Sequence, residues 1–180
     1  MNRKTLRPVM PFEQGALDTL CGIYSLVNAY KIINKGPNND YRELFIEIIE
    51  YLHNNTFLTQ ALEYGLLFKH IKGIVNDVIN DRIPYKETPY VGLVTPSLGK
   101  FWDDMRTFLN DKDAPPSAIV IGLSGKHDHW TVVSGISAGS ITLYDSDGLK
   151  RINRINCTTA LVSGMRQHVL HPAQTFFMRG

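Results

Sequence analysis

The sequence predicts an α+β fold in which an N-terminal helical half packs on a C-terminal antiparallel β-sheet. Two observations predict it. Apolar residues recur at spacings of three and four as far as Asn110, and from Pro115 onward short runs of β-branched and aromatic residues replace them. A third observation joins the halves: Pro and Gly are scattered as punctuation, with no linker, repeat or biased tract between them. One domain over residues 1–180 is therefore expected, a length that can bury a sizeable core.

A short extended lead through Val9, Met10 and Phe12 comes first. Leu20, Ile23, Tyr24, Leu26, Val27, Tyr30 and Ile33 then predict a helix over 19–34 with a wide apolar face. Asp18 or Thr19 is placed to cap its start and Gly36-Pro37 to end it. Leu44, Phe45, Ile48, Ile49 and Leu52 repeat the pattern over 41–52, behind a cap at Asn39 or Asp40. Helical periodicity continues over 59–80, where Gly65 and Gly73 each cost about 1 kcal/mol relative to Ala and mark places for two helices to meet. Residues 100–110 add one more helix.

The strands are expected at 118–123, 130–133, 140–144 and 175–178. Ser124-Gly125-Lys126 and Ser137-Ala138-Gly139 supply the turns of an antiparallel meander. The apolar stretches are too short and too interrupted for the roughly 18–20 residues of a membrane span. Nineteen Lys plus Arg against seventeen Asp plus Glu leave a formal charge of +2, with no dense positive field to imply nucleic acid. The N-terminus meets Pro8, Pro11 and Glu13 before any sustained apolar run, a poor secretory signal, so a cytoplasmic location is expected. Cys21 and Cys157 have no C-x-x-C partner and are read as separate thiols.

Cys21 falls in the first turn of the first helix, where free N–H groups and the positive dipole end favour a thiolate. A lone cysteine on an apolar helix is also a common core residue, so its role depends on partners elsewhere. His129 begins one strand and Asp145 ends the next, and a short turn between the strands brings these two ends together. A carboxylate on one imidazole nitrogen leaves the other free to take a thiol proton. The same residues equally suit the polar end of a surface hairpin. Gln14, upstream of Cys21, has a side-chain amide able to donate to an oxyanion together with the Cys21 N–H, or is simply a polar loop residue. His127 points to the same face as His129 and rivals it as base. The two histidines with Asp145 also allow an open zinc site. His53, His70, His168 and His171 have no companions at ligand spacing, and Cys157 reads as a buried strand thiol.

Gln14, then Asp18-Thr19-Leu20-Cys21-Gly22-Ile23-Tyr24-Ser25-Leu26-Val27-Asn28-Ala29, then His129-Trp130-Thr131-Val132-Val133-Ser134-Gly135-Ile136 and Ile141-Thr142-Leu143-Tyr144-Asp145-Ser146 resemble the papain-like cysteine peptidases, nearest to their bacterial C39-like, bacteriocin-processing branch. The resemblance implies a papain-like fold in which Cys21 is the nucleophile, His129 the base, Asp145 the orienter and Gln14 the oxyanion donor. Trp130 after His129 favours His129 over His127. The family's Gln usually stands slightly closer to its Cys, which implies a bulged connection here. A cysteine hydrolase of a peptide or isopeptide bond is expected, with a peptide or protein substrate and no cofactor. The same triad would also serve acyl transfer, transglutaminase-like chemistry or deamidation, and the scaffold would also serve as a catalytically inactive peptide-binding module. A protein partner encoded in the same operon is compatible with the chain. Substrate subsites are expected within residues 56–100, with 85–94 either bordering the cleft or serving as a connector.

Overall fold

A computed structural model describes residues 10–15 and 18–180. Five helices and seven strands follow in the order α1 (Cys21–Asn34), α2 (Asn38–Asn54), α3 (Leu58–Tyr64), α4 (Phe68–Asp77), β1 (Tyr85–Glu87), α5 (Leu98–Leu109), β2 (Ser117–Gly125), β3 (His129–Ile136), β4 (Ser140–Leu143), β5 (Arg151–Asn153), β6 (Cys157–Thr158) and β7 (His168–Arg179). The class is α+β, as the change of period predicts. Val9 lies outside the described residues.

The helix ends differ from expectation in ways that matter for the site. Helix α1 begins at Cys21, not Thr19, and neither Asp18 nor Thr19 caps it; Leu20 occupies the cap position with no side-chain bond. Asp18 instead accepts from the N–H of Gly15 at 2.8 Å and of Leu20 at 3.2 Å, which folds the incoming chain into a turn. At the other end Lys35, not Gly36, takes the left-handed conformation, with φ 50° and its N–H on the Lys31 carbonyl. Helix α2 starts earlier than expected, directly after Pro37, so Asn39 and Asp40 lie inside it. The 59–80 stretch breaks at Gly65, whose φ of 77° only glycine adopts readily, whereas Gly73 stays helical within α4.

The sheet runs β1-β7-β2-β3-β4-β5, with β6 joining β7 in parallel and all other pairs antiparallel. Strands β2, β3 and β4 form the expected meander. The sequence reading covers only the last third of β7 and does not reach β1; the alternation from Arg151 to Asn156 and the strand thiol at Cys157 fall on β5 and β6. Alternation along the strands feeds two cores. Ala118, Val120, Trp130, Val132, Phe176 and Met178 pack with α1 to α4. Ile119, Ile121, Leu123, Val133, Leu170 and Phe177 pack with Phe101, Trp102 and Met105 of α5 on the other side. Helix α5 thus closes the face opposite α1, a third layer the sequence does not announce. Among the described residues no helix is long and apolar enough to cross a membrane.

Candidate functional site

Cys21 is the first residue of α1, so its backbone N–H has no intrahelical acceptor. Gly22 allows this end of the helix to lie close to its neighbours: a Cβ there would fall 2.7 Å from Ile71 Cδ1 and 3.3 Å from Leu66 Cβ. The Cys21 side chain is half-buried. His129 opens β3 and Asp145 follows β4. A register shift between Val133 and Gly135 is followed by the Tyr144 N–H on the Val132 carbonyl, which carries Asp145 back toward the start of β3.

Asp145 Oδ2 lies 2.7 Å from His129 Nε2, and the two side chains are only 1% and 10% exposed. The other carboxylate oxygen accepts the backbone N–H groups of Asp147 at 2.9 Å and Leu149 at 3.0 Å. Every strong acceptor of this buried carboxylate is therefore engaged. With Nε2 on Asp145, Nδ1 is the ring atom left for Cys21, which lines the same cleft as His129 and is near enough to favour its protonated form.

The electrostatics follow from that packing. Burial alone would lower the affinity of His129 for a proton, but hydrogen bonds to Asp145 and Cys21, with their charges, push it up to about 10. Burial also pushes the Asp145 carboxyl up; the bond to His129, the nearby Thr131 hydroxyl and the Asp147 N–H more than offset this and hold it below the usual carboxylate range. An imidazolium held against the Asp145 carboxylate, with the Cys21 sulfur nearby, is what results at neutral pH.

Gln14 is brought to the same place through its backbone, whose N–H donates to the Ser146 carbonyl at 2.9 Å, one residue past Asp145. Its side-chain Oε1 is buried with no hydrogen-bond partner. Between Gln14 and Cys21, Asp18 accepts the Gly15 N–H at 2.8 Å. His127 does not join the group: its ring stacks on His168 at 5.4 Å between centroids, with planes 8° apart. The zinc arrangement of His127, His129 and Asp145 is therefore not formed, and no cluster of three His, Cys, Asp or Glu arranged for a metal occurs among the described residues. Cys157 is fully buried, and its thiol is pushed up to about 12 by burial.

Cys21 and His129 open into a cleft of about 310 Å³. One wall is the α3–α4 connector, Tyr64 to Leu67, in which Tyr64 is 80% and Leu67 55% exposed. The other is polar: Asp128, His171 and Gln174. His171 and Gln174 reach it because β7 carries extra residues where Ile121↔Thr175 gives way to Gly122↔His171. Gln174 folds closely over Gly122 at this bulge: a Cβ there would sit 2.7 Å from Gln174 Oε1. The sequence reading missed His171, whose Nε2 is 2.7 Å from the Ser124 hydroxyl. No local pattern marks it, because a long-range register shift puts it there. Of the segment expected to supply subsites, 64–67 borders the cleft, while Tyr85, Pro89 and Tyr90 border a separate pocket beside α5.

Comparison of the chain with protein-family models, with curated proteins and with solved structures finds no match.

Proposed function

We propose that the protein is a cysteine hydrolase of papain-like fold, cleaving a peptide or isopeptide bond in a peptide or protein substrate. The observation that carries the reading is the buried His129–Asp145 pair beside a thiol at a helix start. The Cys21 sulfur attacks the carbonyl carbon, forming a C–S bond as the carbonyl π electrons move onto oxygen. The Cys21 N–H and the Gln14 amide hold that oxygen. On collapse the C–N bond breaks, and His129 Nδ1 gives its proton to the departing amine. Water then adds to the thioester carbonyl, passing a proton to His129, and the C–S bond breaks to restore the thiolate–imidazolium pair. Asp145 keeps the ring oriented and its charge balanced in both halves. Two free thiols suit the reducing conditions of a cytoplasm.

The test is intact-protein mass spectrometry after exposure to a peptidyl aldehyde, an epoxide and a ubiquitin-type C-terminal electrophile, with wild type and Cys21→Ser in parallel. One adduct on Cys21, absent from the variant, is expected, and the reactive probe reports the substrate class. If Cys21 stays unmodified in the folded protein while both cysteines react after denaturation, the hydrolase reading fails.

A further inference from the structure

We propose that Trp130 is a positioning residue: its indole N–H, by holding the Leu66 carbonyl, fixes the spacing between Cys21 and His129. The inference rests on the Cys–His pairing proposed above and concerns what sets its geometry.

The nucleophile and the base stand on different elements, α1 and β3. Packing between those elements is apolar, through residues such as Val27 and Val132, and apolar burial has no preferred direction. Directional contacts reach both elements from helix α3 and the α3–α4 connector, beside the route that runs from Asn28 through Phe12 and Gln14 to Ser146. On the nucleophile side the Thr19 hydroxyl, two residues before Cys21, donates to the Ala61 carbonyl at 2.6 Å, with that of Leu62 at 3.0 Å. Leu66 itself presses against Gly22, the residue after Cys21. On the base side Trp130, the residue after His129, donates from Nε1 to the Leu66 carbonyl at 2.7 Å, in a contact where both residues are buried.

Leu66 therefore touches both partners within one residue of the reacting atoms. Its carbonyl belongs to neither a helix nor the sheet, because Gly65 at φ 77° has turned the chain out of α3 before α4 begins. Without the indole it would be a buried acceptor lacking this partner, and the connector would shift to find one. A displacement of about 1 Å at a reacting pair can cost on the order of 10²-fold.

The experiment measures the rate of iodoacetamide alkylation at Cys21, located by peptide mapping, between pH 5 and 10. Wild type is compared with protein in which benzothiophene replaces the Trp130 indole, keeping its shape and losing its N–H, and with Trp130→Phe. Wild type should keep most of its pH 9.5 rate at pH 6. The two variants should lose at least about tenfold at pH 6 relative to pH 9.5. An unchanged profile in the benzothiophene protein overturns the proposal, as does an equal loss at every pH accompanied by a lower Tm, the mark of a merely structural role. A wild-type rate that itself falls toward pH 6 like that of an ordinary thiol overturns the Cys–His pairing, and this inference with it.

Discussion

The two faces of the sheet are built from the same kind of residue and end in opposite chemistry. Toward α5, Cys157 is fully buried in the cluster that also holds Ile119, Ile121, Val133, Phe177 and Trp102, and its sulfur donates to the Asn153 carbonyl at 3.3 Å. Burial there makes ionisation costly. Toward α1, an equally apolar core stops at the helix start, where Cys21 meets a buried imidazole already holding a proton against Asp145. The same side chain is sealed in on one face and opens to a cleft beside an imidazole on the other, and the difference lies in what ends the core.

Exchanging the cysteines one at a time is the most forceful way to break that comparison. Cys21→Ala should abolish turnover and shift Tm by no more than about 1–2 °C, since it removes a half-buried thiol at a cleft. Cys157→Ala should leave kcat unchanged and destabilise the fold by about 1–2 kcal/mol, because it opens a void in a closed core. Thermal denaturation and turnover of a labelled probe, measured on the same samples, check both. A variant pair that loses activity equally would show that the two faces are not chemically distinct.

The two histidines of the β2–β3 turn sharpen it at a smaller scale. His129→Ala should slow acylation by roughly 10²–10⁴, the range for a lost general base. His127→Ala should change the rate by less than about twofold, since its ring stacks on His168 away from the cleft. Single-turnover kinetics with an ester substrate would separate them, and the reverse order would move the role of base to His127.

Much of the face that carries Cys21 and His129 is legible in the sequence and little of the other. The helix start at Cys21 and the hairpin that joins His129 to Asp145 are local: each is set by periodicity or a short turn within about twenty residues. The place of β7 between β1 and β2 pairs Tyr85 with Arg179 and Ser117 with Arg179, separations that no local period encodes. For the same reason the face covered by α5 is unreadable, since its apolar stripe says that it packs and not on which side. Strand β1, of three residues, is too short to show alternation, whereas β5 and β6 leave a trace in the alternation from Arg151 to Asn156 that leads to Cys157. His171 and Leu66, which shape the cleft, depend on a bulge in β7 and on the turn at Gly65.

The smallest effect expected is a pH dependence of stability that reads the proton held on His129. His129 binds its proton up to about 10 in the folded chain and to about 6.5 when unfolded. Its contribution is therefore present in full below about 6.5 and is lost as pH rises through about 10, because the unfolded state binds fewer protons in that window. His70, His168 and His171 act oppositely: burial lowers all three, so their neutral forms are favoured and stability declines as pH falls below about 6.5. Asp145, held low, loses its contribution only in stronger acid, as pH falls through its folded value. Wild-type Tm should thus fall on both sides of neutrality. His129→Gln should flatten the alkaline limb by a few °C and keep the part of the acid limb that comes from His70, His168 and His171. Cys21→Ser should flatten the alkaline limb in part, because one of the two groups that hold the proton is gone. If instead Cys21→Ser retains the full alkaline limb, Asp145 alone holds the imidazolium, and the thiol is a neighbour of the pair but not a member of it.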